Sequence, residues 1–213
     1  MPLQSPGLLI YPITSGTTTP QATPEILRLL QAAVDAEIPL FQIREKSLPA
    51  RALYELTSRA VEITRGTKTR LLVNDRADIA RASDADGVHL TTRSLPAQVV
   101  RDIYGPEFLI GVSTHSLREA EGARKDGADF VVFGPVFETE SKREFGEPQG
   151  LQKLREVTHA LAEFPVLAIG GITLENVAAC FAAGARGVAA IRLFSDPETM
   201  TSTVNTIRSR FAR

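Results

Sequence analysis

The chain has 213 residues, 43% of them hydrophobic, one cysteine, and a formal net charge of −1 from 24 Lys plus Arg against 25 Asp plus Glu. Its length and apolar share fit one domain over residues 1–213 with a core of its own. The near-neutral balance excludes a general nucleic-acid binder. A lone Cys180 excludes an internal disulfide and fits a reducing, cytoplasmic setting.

The start, MPLQSPGLLIYPI, lacks the basic stretch and long apolar run of a signal peptide. No apolar run reaches the roughly 18 residues a membrane span needs. In chain order, short runs rich in Val, Ile, Leu and Phe predict strands over Leu8–Ile13, Leu40–Ile43, Leu71–Asn74, Gly87–Leu90, Leu109–Val112, Phe130–Phe133, Val166–Ile169 and Gly187–Ile191. Apolar residues at three- and four-residue steps between them, such as Ile26, Leu27, Leu30 and Val34, predict helices. Pro24, Pro96 and Pro197 fit first helical turns, where a missing N–H is harmless. Strands that are continuously apolar are covered on both faces, as in a parallel sheet.

Three helix-to-strand joints, Ala85-Asp86-Gly87, Asp126-Gly127-Ala128-Asp129 and Ala183-Gly184-Ala185-Arg186, carry glycines fit to close a helix. Eight strand–helix units in this length predict an α/β fold, a single (β/α)8 TIM barrel near the lower size limit of about 200 residues. An open doubly wound sheet fits less well. Ile13-Thr14-Ser15-Gly16 after the first strand is a poor match to a glycine-rich phosphate loop.

Barrel sites form at the C-terminal strand ends. Those positions here carry Gln42, Arg44, Glu45 and Lys46 after the second strand and Asn74, Asp75 and Arg76 after the third. His89 lies on the fourth, Ser113 and His115 follow the fifth, and Thr139, Ser141, Lys142 and Arg143 follow the sixth. Gly170 and Gly171 end the seventh and Arg192 follows the eighth. Cations, hydroxyls and glycines converge on one face, so the predicted mouth is basic. Gly170 and Gly171 offer unhindered backbone N–H groups to a phosphate, with Arg192 nearby. A second anion meets Arg44, Lys46, Lys142 and the hydroxyls of Ser113, Thr139 and Ser141. Asp75 suits Mg2+ bridging a diphosphate, which needs only one or two protein carboxylates.

Plainer readings stand beside these. Arg44, Glu45 and Lys46 fit a solvated loop with a weak ion pair, Asp75 a cap of the third helix, and the run around His115 a cap of the fifth. His89 fits a packed or rim position, His159 an inert outer helix and Cys180 the core. These residues predict a barrel for phosphorylated small molecules, without nucleic acid or membrane partners. Self-association is left open.

FQIREK, LLVNDRADIA, DGVHL, IGVSTHSLREA, ADFVVFGPVFETESK and VLAIGGIT follow one another at barrel spacing. In this order they resemble the thiamine phosphate synthase and thiazole tautomerase superfamily from about Leu8 to Phe194. The resemblance implies a barrel that joins hydroxymethylpyrimidine diphosphate to thiazole phosphate with Mg2+, releasing diphosphate. It implies that Gln42 binds the pyrimidine, that Arg44, Lys46, Asn74 and Lys142 hold the diphosphate with Ser113 beside it, and that Asp75 binds Mg2+. Thr139 and Ser141 would lie near the thiazole carboxylate or phosphate, and Gly170, Gly171 and the eighth strand end would bind that phosphate. Catalytic roles would then fall to Arg44, Lys46, Ser113, His115 and Lys142.

Two departures bear on the branch. The synthases usually carry Gly-Gln-x-Asp after GVHL, where this chain has Thr91-Thr92-Arg93-Ser94. Ser94 thus replaces the second metal carboxylate, while Arg93 adds positive charge. The eighth strand end, usually Val-Ser-Ala-Ile, is Ile191-Arg192-Leu193-Phe194. A metal-independent tautomerase with His115 as proton carrier remains an alternative, as does a non-catalytic phosphate-binding barrel. Lys46, Asn74, Asp75 and Lys142 favour the synthase, because a tautomerase holds no diphosphate.

Overall fold

The computed structural model describes residues 7–138 and 147–211. Eight strands, β1 (Leu9–Pro12), β2 (Leu40–Ile43), β3 (Arg70–Asn74), β4 (Gly87–Leu90), β5 (Leu109–Thr114), β6 (Phe130–Phe133), β7 (Val166–Ile169) and β8 (Gly187–Ala190), form one parallel sheet in the order β1-β8-β7-β6-β5-β4-β3-β2. An isolated bridge between Ile13 and Gln42 joins the two edges and closes the (β/α)8 barrel. The helices are α1 (Thr23–Asp35), α2 (Ala50–Thr64), α3 (Ala77–Ala82), α4 (Ala97–Tyr104), α5 (Leu117–Lys125), α6 (Gly150–Ala160), α7 (Val177–Ala182) and α8 (Met200–Phe211).

Strand pleating divides the apolar residues into two cores. Leu9, Tyr11, Ile13, Leu40, Leu72, Leu109, Phe130, Val132, Leu167 and Ala189 cluster within the barrel. The alternate strand residues, among them Ile10, Phe41, Val73, Val88, Ile110 and Val131, pack with the helices in the outer core. This alternation puts Gln42, Asn74, His89 and Ser113 in the inward series: Gln42 follows Leu40, Asn74 follows Leu72, and Ser113 is two residues beyond Gly111. Cys180 is buried in the outer core, and burial pushes its thiol up to about 12, as fits a packing residue.

The helix ends show where the sequence reading holds and where it shifts. Pro24 occupies the first turn of α1, but Pro96 is the N-cap of α4 and Pro197 lies before α8. Gly127 and Gly184 take the left-handed backbone expected of them. At the third joint Asp84 does so instead, with φ 59°, while Gly87 is the first residue of β4. Ser116 caps α5, accepting from Glu119 N–H at 3.2 Å, and Glu119 reaches back to His115 N–H at 2.6 Å.

Acidic side chains pin the other end of the barrel. Asp86 accepts from Leu71 N–H at 2.8 Å and pairs with Arg70 at 2.7 Å. Asp129 accepts from Ile110 N–H and from Arg101, both at 2.7 Å. They line a cavity of about 410 Å³ with Arg81, Tyr104 and Phe108, away from the C-terminal strand ends.

Candidate functional site

At the C-terminal strand ends, Gln42 is almost fully buried, and its Nε2 donates to Asn74 Oδ1 at 3.0 Å. Its Oε1 is buried with no hydrogen-bond partner among the described residues. An orphaned acceptor of this kind costs about 1–3 kcal/mol unless a ligand supplies a donor.

The next turn differs from a solvated loop. Glu45 is only 3% exposed and accepts from Gly16 N–H at 3.3 Å and Thr18 N–H at 2.8 Å, tying down the segment after β1. Arg44 adds to the same tie, with its N–H on Thr14 Oγ1 at 2.8 Å and its guanidinium on Ser15 O at 3.1 Å. The buried Glu45 escaped sequence reasoning, because its partners lie 27 and 29 residues away.

Electrostatics show that the cations gather. The Arg44 guanidinium is the first cause holding the Lys46 ammonium below its ordinary value, followed by partial burial and Arg93, with Asp75 opposing them. Arg44, Arg93 and Asp75 therefore all lie near enough to Lys46 to act on its charge. Asp75 stands at φ 59°, its N–H on His89 O at 2.9 Å. It is not a helix cap: Arg76 is the N-cap of α3, makes no side-chain cap bond and pairs with Asp78 at 2.6 Å. The Asp75 carboxylate makes no hydrogen bond or ion pair among the described residues.

After β4, Ser94 Oγ accepts from Thr91 N–H at 2.7 Å and lies 3.0 Å from Thr91 Oγ1. The Ser94 hydroxyl thus closes its own turn. His89 is packed, as read from sequence: 2% exposed, with Nδ1 3.3 Å from Tyr11 OH and Nε2 2.9 Å from Ser113 Oγ. Burial first, and Arg44 second, push its pKa down to about 3. His115 turns Nδ1 onto Gly134 O at 2.5 Å.

At the end of β7, Gly170 and Gly171 take φ of 96° and 64°. A Cβ on Gly170 would lie 2.5 Å from Pro135 Cβ, and one on Gly171 2.5 Å from Glu138 O, so both the turn and its close approach require glycine. Gly170 O accepts from Phe137 N–H at 3.0 Å, and Gly171 O from Asn176 Nδ2 at 2.8 Å. In trans peptides the N–H groups of Gly171 and Ile172 point away from those partners. Arg192 is exposed in a single 3-10 turn after β8. His159 is exposed on α6. Thr139, Ser141, Lys142 and Arg143, with most of the loop from Glu138 to Pro148, lie outside the described residues.

The family profile described as thiamine monophosphate synthase matches residues 10–194. The chain belongs to that family. A thiamine-phosphate synthase of Roseiflexus castenholzii is 39% identical over 204 residues, covering 94% of this chain and 88% of the relative. One of Methanoculleus marisnigri is 40% identical over 206 residues, covering 97% and 96%. Among solved structures, thiamine phosphate pyrophosphorylase from Pyrococcus furiosus superposes with a TM-score of 0.82 at 31% identity, covering 99% of this chain and 98% of that one. No helix among the described residues is long and apolar enough to cross a membrane.

Proposed function

We propose that this chain is a thiamine-phosphate synthase, joining hydroxymethylpyrimidine diphosphate to thiazole phosphate and releasing thiamine phosphate and diphosphate. The observation that carries this reading is the gathering of Arg44, Arg93 and Asp75 around Lys46, beside a buried Gln42 whose acceptor is open. A cluster whose cations raise one another's energy is suited to a polyanion. Gln42 Oε1 would take an N–H from the aminopyrimidine, with the amide held in place by Asn74.

Arg44, Lys46 and Lys142 would hold the diphosphate, with Asn74 and the Ser113 hydroxyl beside it. As the bond from the pyrimidine methylene carbon to the diphosphate oxygen breaks, its electron pair leaves on that oxygen, and preorganised cations stabilise the growing charge. The thiazole nitrogen then forms the new bond to that carbon. Gly171 and Ile172 N–H groups, with Arg192, would hold the thiazole phosphate, and Thr139 and Ser141 would approach the thiazole from the β6 loop.

Asp75 fits a divalent cation, since its carboxylate is uncommitted. No group of three or more His, Cys, Asp or Glu gathers among the described residues, so the remaining oxygens would come from substrate and water. When bound there, Mg2+ would neutralise diphosphate charge. Replacing Ser94 with Asp should leave an acceptor for Thr91 N–H and add a second carboxylate. We expect the half-saturating Mg2+ concentration to fall about tenfold. An unchanged Mg2+ titration would show that position 94 does not adjoin the ion.

The test is purified protein with both substrates, assayed with Mg2+ and again with EDTA. Metal-dependent formation of thiamine phosphate supports the synthase. Isomerisation of a thiazole carboxylate phosphate in EDTA, lost in His115→Ala, would make it a tautomerase. Binding without turnover would make it a non-catalytic phosphate-binding barrel. We place the enzyme in the cytoplasm, with small phosphorylated molecules as its partners.

A further inference from the structure

Tyr11, His89 and Ser113 form a hydrogen-bonded chain from the barrel interior to the mouth. The Tyr11 hydroxyl lies 3.3 Å from His89 Nδ1, and His89 Nε2 lies 2.9 Å from Ser113 Oγ. Space is reserved for this chain. Gly111 stands opposite His89 in the β4–β5 register, and a Cβ there would come within 2.7 Å of His89 Nδ1 and 2.3 Å of Phe130 Cζ. Tyr11 and Phe130 pack against the imidazole with ring centroids 5.6 and 6.1 Å away and 5.5 Å from each other, so the three rings form one cluster.

The direction of the chain follows from hydrogen-bond accounting. Tyr11 is fully buried, and His89 Nδ1 is the acceptor for its proton among the described residues. Leaving a buried O–H without an acceptor is costly, so the phenol donates to Nδ1. A neutral imidazole carries one N–H. With Nδ1 accepting, that proton is on Nε2, which donates to Ser113 Oγ. Ser113 is half-buried at the strand end and then has its own proton to give toward the mouth. Reversed, the chain would aim the Ser113 proton inward and present lone pairs to an anion.

We propose that Tyr11 and His89 are positioning residues that lock the Ser113 hydroxyl as a donor to the diphosphate group. The inference rests on the reading that Ser113 lies beside that group.

The test is a double-mutant cycle on the full chain with Mg2+, using Tyr11→Phe, Ser113→Ala and the pair, with inorganic diphosphate as the binding probe. Tyr11→Phe keeps the ring packed against Phe130 and removes only the hydroxyl. It should weaken diphosphate binding about tenfold, the scale of one hydrogen bond to a charged group. In the Ser113→Ala background the same change should have no effect, and the KM for thiazole phosphate should not move. His89→Gln, whose amide can accept from Tyr11 and donate to Ser113, should retain more binding than His89→Leu. An equal loss from Tyr11→Phe in both backgrounds, or no loss in either, would overturn the inference. If wild-type protein makes no thiamine phosphate, the proposed function fails. If it does and the two backgrounds respond alike, only this inference fails.

Discussion

Arg44→Ala is expected to lower the rate of thiamine phosphate formation by about 100- to 1000-fold, the range for removing one preorganised group that meets developing charge. Arg44 is half-buried, and that partial burial lowers its pKa while Glu45 opposes the shift. A guanidinium nonetheless stays charged at neutral pH. Its field is therefore felt in a poorly solvated mouth, where a charge acts more strongly than at an open surface. The bond to Ser15 O also holds the fork in one place, so little reorganisation is needed as the diphosphate departs. Arg44→Lys keeps the charge but not the fork, and should fall between wild type and alanine. Steady-state kinetics with each substrate varied in turn would check this, the KM for thiazole phosphate staying nearly constant. A loss under tenfold for Arg44→Ala would remove Arg44 from the diphosphate subsite.

The second large effect concerns acid stability. In the unfolded chain His89 takes up its proton near pH 6.5, whereas burial delays uptake in the folded barrel until about pH 3. Between those values the unfolded state binds more protons, so stability falls as pH falls. The slope is about 1.4 kcal/mol per pH unit, which accumulates to roughly 3 kcal/mol by pH 4. Urea unfolding of wild type and His89→Gln at pH 7 and pH 4 would isolate this contribution, since the other titrating groups are shared. The variant should lose on the order of 3 kcal/mol less than wild type on acidification. Equal losses would show that His89 is protonated in the folded state at pH 4.

The barrel was legible because its strands are apolar on both faces. Four predicted strands, Leu40–Ile43, Gly87–Leu90, Phe130–Phe133 and Val166–Ile169, match the structure end for end. The differences concentrate where the site begins. The fifth predicted strand stops at Val112 because the apolar run stops there, yet β5 continues to Thr114 and carries Ser113 inward. Ile191 is apolar but turns out of β8 at ψ −67° into the 3-10 segment with Arg192. Hydrophobicity marks a strand only as far as its core-facing part, and polar site residues extend β5 beyond it.

The basic mouth was also legible, since Arg44 and Lys46 adjoin as strand-end counting implies, with Arg93 joining them from the turn that departs from the family motif. Partnerships across the barrel were not. Glu45 holding Gly16 and Thr18, Tyr11 meeting His89, and Ser94 closing on Thr91 depend on strand register and turn geometry, which composition does not encode. The near-zero net charge hides this arrangement, in which Asp86 and Asp129 are paired with Arg70 and Arg101 at the opposite end while cations gather around Lys46 at the mouth.

The mouth is proposed to serve two phosphorylated substrates at once. The most direct test is the stoichiometry of diphosphate and thiamine phosphate formed from hydroxymethylpyrimidine diphosphate and thiazole phosphate in the presence of Mg2+. The two products should appear one to one and only when both substrates are supplied. Diphosphate released without thiazole phosphate, or no diphosphate at all, would contradict it.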